Sequence, residues 1–516
     1  MWFLIFLKDF VSVPAFLVGI FVLIGALIQR KKVSQTIISV FKVIIGFLIL
    51  GGGAGVLVGS LQKFQPLFQE TYSLNGIIPN NDAFAGILAN ALPAIATLGS
   101  LIMVVGMIAN ILLALLSRLK YVFLSGHVLY YTSLALAATL YAVGLDFQNN
   151  AGDFAIALII GALVLAAYMV ISPAVNQRYM RQIIGTNEIG MGHTGGFGYA
   201  MSGLIGEVIY KIKKGKVLST EQIKFPQSLY FFRNTMVSIS LTIFIFYMIA
   251  FLPAGIMYEM GKFHQTIDGT TSIIAGKENV VNILSSSNWL VTMFVQAFTF
   301  TAGVEIILAG VRLFIGELVP MFKGISEKLI KNSKAAVDCP VVFPYAPNAV
   351  IIGFLSSFAG GIVAMFITIA IDHSSAAAAV ILPGLVPHFF LGATSGVFGN
   401  VKGGIWGAII GSFVMGIFIT FIPIIFIAGS WVPASNSALD TLAKAQESDV
   451  NLNSLNWGDT DYIIAAFPGL LGKINKYVAL VGAIILYLGL VMDGIFAKFI
   501  PSWPGNKNNH KQVAKV

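Results

Sequence analysis

Apolar runs close to the ~20 residues that carry an α-helix across a bilayer recur along the chain, separated by short polar breaks. They place eleven spans: Pro14–Ile28, Ile37–Leu61, Phe84–Leu116, Tyr121–Leu145, Phe154–Ile171, Thr235–Ile256, Trp289–Val311, Ala349–Ile371, Ala376–Phe398, Gly404–Ala428 and Tyr477–Phe496. Two are irregular. Phe84–Leu116 is too long for one crossing and holds Asn90 and Pro93, and Ala376–Phe398 holds Pro383, Gly384, Pro387 and His388. Broken or re-entrant helices have this composition, and at membrane depth they are tolerated where they line a cavity or pack against protein. The expected fold class is therefore an all-α polytopic membrane protein, with about eleven transmembrane helices plus re-entrant or broken ones.

Composition agrees. The chain is 57% hydrophobic and 10% charged, with mean hydropathy +0.87, whereas a soluble domain carries about a quarter charged residues. Soluble, fibrous, disordered and small secreted classes are excluded. The single cysteine, Cys339, rules out an intrachain disulfide framework and a four-cysteine metal site, and reads as a buried small side chain. Met1–Phe10 lacks a basic n-region and a small-residue cleavage site, so the first apolar run is expected to insert as a helix rather than be cleaved. Nucleic-acid binding is a poor reading of the net charge of +9, because no aromatic-interleaved basic module is present.

The distribution of charge says more than its sum. With the N-terminus outside, 23 Lys and Arg fall in inner loops against 7 in outer loops, which predicts N-out, C-in topology. Residues 1–516 then read as a single integral-membrane unit, with an inner loop over 173–233 and an outer loop over 430–475. The Gly-rich GMGHTGGFGYAMSG stretch of the inner loop is too apolar for a solvated loop and reads as re-entrant. Spans 2–5 and 7–10 run in opposite directions, so an inverted repeat is possible; it matches SGHVLYYTS at Ser125 with VPHFFLGATS at Val386.

Ionisable groups inside spans are costly and so are candidates for function. His127, His388 and His193 stand out, each with an alternative as a histidine bonded to a neighbouring helix. Asp338, in AVDCPVVFPYAPNAV, either caps a broken helix or accepts substrate hydroxyls. Glu305 and Arg312 lie two turns apart on one helix face, as an intramembrane pair, a snorkelling arginine or a functional couple. Gly51, Gly52, Gly53, Gly55 and Gly59 suit close helix packing or a hinge. No phosphate-binding loop, HExxH or paired CxxC occurs, so no cofactor and no metal are expected.

Several strings then fall in one family's order: IIGFLILGGGAGVL, LSGHVLYY, GHTGGF, GVRLFIGELVPMFKGISEKLI, AVDCPVVFPYAPNAVIIGF and LPGLVPHFFLGATSGVFGN. From Val33 to Gly429 the chain resembles the ascorbate-type membrane component, enzyme IIC, of the bacterial phosphoenolpyruvate-dependent phosphotransferase system. The resemblance implies an 11-helix homodimer in the bacterial cytoplasmic membrane, with interleaved core and dimerisation subdomains. The core would carry a sugar acid, L-ascorbate or a relative, inward past the scaffold as an elevator. A separate cytosolic IIB component bearing phosphocysteine, charged by IIA, would then phosphorylate it, and this chain would carry no phosphorylation site of its own. Carried over by motif, the pocket would include His127, Tyr131, His193, Thr194, Asp338, His388 and Phe390, with Asn81 and Asp82 at a polar turn. The chain departs from the family where glutamines follow both histidines: Tyr131, Thr194, Gly195 and Gly196 stand there instead. Lys211, Lys213, Lys214 and Lys216 could dock an acidic IIB, or simply follow the positive-inside rule. The competing reading is a proton-coupled secondary transporter of a small polar or anionic solute, its histidines and Asp338 relaying protons.

Overall fold

The computed structural model describes residues 14–72, 76–223, 234–267, 270–374, 380–432 and 455–500. Helices dominate, because a chain this apolar must satisfy its backbone hydrogen bonds within each segment. In order these are α1 (Pro14–Ile28), α2 (Val33–Tyr72), α3 (Asn81–Ala91), α4 (Pro93–Leu116), α5 (Gly126–Ala142), α6 (Ala151–Ile184) and α7 (Gly196–Ile212). They continue with α8 (Thr235–Glu259), α9 (Glu278–Ser285), α10 (Trp289–Leu329), α11 (Pro347–Ser374), α12 (Ala393–Gly429), α13 (Ala466–Ile474) and α14 (Lys476–Phe499). Among the described residues, five helical stretches are long and apolar enough to cross a membrane: α4, α6, Pro347–Ile371, His388–Gly429 and α14. Val33–Gly46, Ile243–Glu259 and Trp289–Gly303 are shorter apolar helical stretches. The chain is a multi-pass membrane protein.

Both irregular spans are broken, as the prolines require. Leu92, non-helical at φ −129°, ψ 75°, separates α3 from α4, with Pro93 opening the second helix where its missing N–H costs nothing. In the second, Leu385–Pro387 leads into a π-turn at His388–Gly392 before α12. α12 is itself two arms. The Ser412 hydroxyl donates to the Gly392 carbonyl (2.9 Å), a contact between residues 20 apart that a straight helix forbids. The reversal falls at Gly404 (φ +58°, ψ −148°), where a Cβ would lie 2.2 Å from the Leu218 carbonyl oxygen. Two expected spans thus sit in one helical hairpin.

Elsewhere the structure departs from the loop assignments. α6 carries the chain through Pro173 to Ile184, so the expected inner loop begins as helix. The start of the Tyr121–Leu145 span is a strand rather than helix. Gly52, Gly55 and Gly59 face open space among the described residues, where a Cβ at each would meet no atom within 4 Å.

The helices form two groups. α1, α2, α8 and α10 pack together, and Glu317 of α10 accepts from Ser39 (2.6 Å) and Lys42 (2.9 Å) of α2. The other group centres on α4–α7 and α11–α14. Small residues set its spacing: a Cβ on Gly206 of α7 would lie 2.5 Å from the Gly399 carbonyl oxygen, so these backbones touch directly.

Short strands complete the fold and position the site. β2 (Tyr121–Phe123), β6 (Lys334–Val337) and β3 (Ile189–Met191) form one parallel sheet with β6 central. β7 (Val380–Ile381), β1 (Gly76–Pro79) and β8 (Leu455–Asn456) form another, with β1 central. A separate antiparallel pair, β4 (His264–Ile267) and β5 (Thr270–Ile273), joins α8 to α9.

Candidate functional site

Each strand of the two parallel sheets ends a few residues before a side chain that reaches one cavity. β2 leads to His127, β3 to His193 and Thr194, and β6 to Asp338; β1 leads to Asn81, β7 to Pro387 and Phe390, and β8 to Asp459. Parallel strands present all their carboxyl ends at one edge, which makes that edge a natural place to gather ligand groups. The cavity has a volume of about 580 Å³ and is walled on one side by Glu305, Arg312 and Gly316 of α10.

Asp338 is the hub. Its Oδ2 lies 3.6 Å from His127 Nε2 and its Oδ1 lies 4.0 Å from His193 Nε2. The Asp338 side chain is 39% exposed, to the cavity, while His193 is nearly buried. Oδ1 also accepts from the Cys339 backbone N–H (2.7 Å) and caps the 3₁₀ turn Cys339–Tyr345, so capping and cavity lining coexist in one carboxylate. Cys339 itself is buried.

The proton on His193 follows from its neighbours. The Gly195 backbone N–H donates to Nδ1 (3.2 Å), and the Tyr199 hydroxyl lies 2.8 Å from the same atom. With Nδ1 accepting, the neutral ring carries its proton on Nε2, the nitrogen that faces Asp338. His127 meets Tyr131 edge-on (6.0 Å between rings), which leaves that phenol on the cavity wall. The cavity thus offers an imidazole donor, a carboxylate acceptor and aromatic surface, a set suited to hydroxyl groups on a sugar ring. His127, His193 and Asp338 also place one ligand atom each within 4.8 Å of one another. To hold a cation they would have to close further, to about 2.0–2.2 Å from the ion.

The structure brings His127, Tyr131, His193, Thr194, Asp338, Phe390 and Asn81 to the cavity. His388 does not line it. This buried ring sits behind the wall, its Nδ1 bonded to Ser357 Oγ (2.8 Å) and its face edge-on to Phe358 (5.8 Å). The π-turn that begins at His388 rotates the side chain toward α11 and sends Phe390 to the cavity instead. The Asp82 side chain lies outside the described residues.

Residues of the 430–475 segment reach the cavity as well, and reading that segment as an outer loop had hidden them. Asp459 accepts from Asn81 Nδ2 (2.5 Å) and from the Thr194 hydroxyl, joining segments that charge counting assigns to opposite sides. Asp461 accepts the backbone N–H of Gly196 (2.9 Å) and of Phe197 (2.8 Å), the Tyr168 hydroxyl (2.9 Å) and the Ser172 hydroxyl (3.0 Å). It caps the start of α7 from across the chain, a carboxylate at the positive end of a helix. The Gly196 backbone N–H is therefore committed to Asp461. The legible signal was a short one: GDT at 458–460 repeats GHT at 192–194 with aspartate in place of histidine.

A family model described as the PTS system sugar-specific permease component matches residues 9–442. Over 432 residues the chain is 27% identical to a curated protein of Mycoplasma pneumoniae named "Ascorbate-specific PTS system EIIC component". The aligned stretch covers 78% of this chain and 63% of that relative.

Proposed function

Because the chain belongs to the sugar-specific permease family of the phosphotransferase system, we propose that it binds a sugar acid, L-ascorbate or a related carbohydrate, on the outer side of a bacterial cytoplasmic membrane and delivers it inward. There a separate IIB component phosphorylates it from phosphocysteine, itself charged by IIA. The observation that carries this reading is the convergence of His127, His193 and Asp338 on one cavity at the carboxyl ends of the inner strands. Imidazole N–H donors suit a monoanionic sugar acid, and Asp338 accepts its hydroxyls.

Three features support the finer points. His127, His193, Asp338 and Phe390 all belong to the helix group away from α10, so an elevator motion would move the binding groups together past the α2–α8–α10 scaffold. Pairing spans 2–5 with 7–10 sets β1 against β6, β2 against β7 and β3 against β8, and the sheet orders β7-β1-β8 and β2-β6-β3 correspond under that pairing, as an inverted repeat requires. One sheet draws its strands from segments assigned inside and the other from segments assigned outside, in keeping with N-out, C-in topology. The homodimer would close on α2, whose exposed Ile38, Phe41, Ile45 and Leu48 continue into open Gly52, Gly55 and Gly59, a face notched for close approach of a second helix or for lipid.

Binding tests the site. Purified protein should be stabilised against heat by ascorbate or a related sugar acid, and Asp338→Ala should abolish that shift. Unchanged affinity in the variant would reduce Asp338 to the cap of its 3₁₀ turn.

A further inference from the structure

Arg312 lies on α10, exposed, and its side chain helps wall the cavity. Among the described residues no hydrogen bond or ion pair joins it to another side chain. Glu305, the neighbouring acid on its face, is seven residues away, about 10 Å along the helix axis. Glu317 is taken by Ser39 and Lys42, and Asp338 stands beside two histidines. Arg312 lies just past the expected span end at Val311, on the helix that continues from the apolar stretch Trp289–Gly303, and a guanidinium that faces the cavity with no partner among the described residues is placed for something that enters.

Charge around the cavity sharpens the point. Its lining holds three carboxylates, Glu305, Asp338 and Asp459, and Arg312 is the fixed cation among the lining residues. Without it an anion would meet a wall of net negative charge. With it, a planar fork of donors can grip a carboxylate or enolate while Asp338 and the histidines address the hydroxyls across the cavity.

We propose that Arg312 is the residue that selects an anionic substrate, holding the substrate's negative group from the scaffold side of the cavity opposite Asp338. This rests on the permease reading and names its substrate class: a monoanionic sugar acid rather than a neutral polyol. The group is held by the helix that the moving body passes, so the grip is made and released as the core shifts.

The test uses the full-length protein in detergent with two probes of similar shape, sodium L-ascorbate and the neutral L-gulono-1,4-lactone. Arg312→Gln should weaken ascorbate binding by about ten- to a hundredfold, the range lost with one or two charge-assisted hydrogen bonds, and leave the lactone within about twofold. Arg312→Lys, which keeps the charge but loses the fork, should weaken ascorbate severalfold and spare the lactone; it carries the test if the glutamine variant melts early. Equal loss for both probes, or no loss for ascorbate, would overturn the assignment. Wild-type protein that binds the lactone but not ascorbate would overturn the anion role and leave the permease reading standing, whereas binding of neither probe would overturn both.

Discussion

Asp461 shows how a single buried carboxylate can hold a membrane site together. It accepts two backbone N–H groups at the start of α7 and two hydroxyls from α6, while its own N–H donates to the Thr194 carbonyl (2.7 Å). The loop that bears His193 and Thr194 has glycine on both sides and would otherwise lack a fixed course. Asp461→Ala removes several charge-assisted bonds at once and leaves two helix-terminal N–H groups buried and unpaired. It is expected to cost about 3 kcal/mol or more and to abolish sugar binding, read as a lowered melting temperature in detergent and a lost ligand shift. A variant as stable as wild type would show that α7 is held by packing alone. His127, His193 and Asp338 were legible from the sequence because a charge or imidazole in an apolar run is conspicuous. Asp459 and Asp461 were not, since acids in a polar, charge-bearing segment look like solvated loop. His388 misled for a related reason: its position in the chain was right, but a π-turn decides where its ring points, and hydropathy carries no record of that turn.

Among the elements, the apolar cores of the long helices were legible, because a bilayer-length apolar run has few other ways to satisfy its backbone, whereas the polar ends that carry α2, α6 and α10 past the expected spans were not. The strands were invisible. They are two to four residues long and built from the same Ile, Val and Ala as the spans beside them, so no alternation marks them. They nonetheless aim the site, since every one of these parallel strands ends just before a cavity residue. The hairpin of α12 was foreseen as two spans, and Gly404 explains why the turn between them is so short. Its backbone lies in a region that side chains rarely enter, and the Leu218 carbonyl occupies the space of a Cβ. Gly404→Ala should therefore destabilise the protein by about 1–3 kcal/mol, measured as a fall in melting temperature. An unchanged melting point would mean that the two arms tolerate a different reversal.

At the scale of the molecule, the distribution of a net charge of +9 predicts a topology, and several of the scarce ionisable groups in or beside the spans line one cavity. Segments that the charge count assigns to opposite faces meet where Thr194 bonds Asp459. Such a site suits a carrier that opens to each side in turn. Cys339 is buried, and the proposed function has the phosphoryl donor arrive on a separate IIB chain. The coupling of uptake to that donor is the centre of the account, and one measurement addresses it most directly. Protein reconstituted in vesicles is supplied inside with IIB that is either phosphorylated or not, and labelled ascorbate is added outside. Accumulation that requires phosphorylated IIB and yields phosphorylated sugar is the predicted result. Accumulation of unmodified solute, driven by a proton gradient with no partner present, would contradict it and make His127, His193 and Asp338 a proton relay instead.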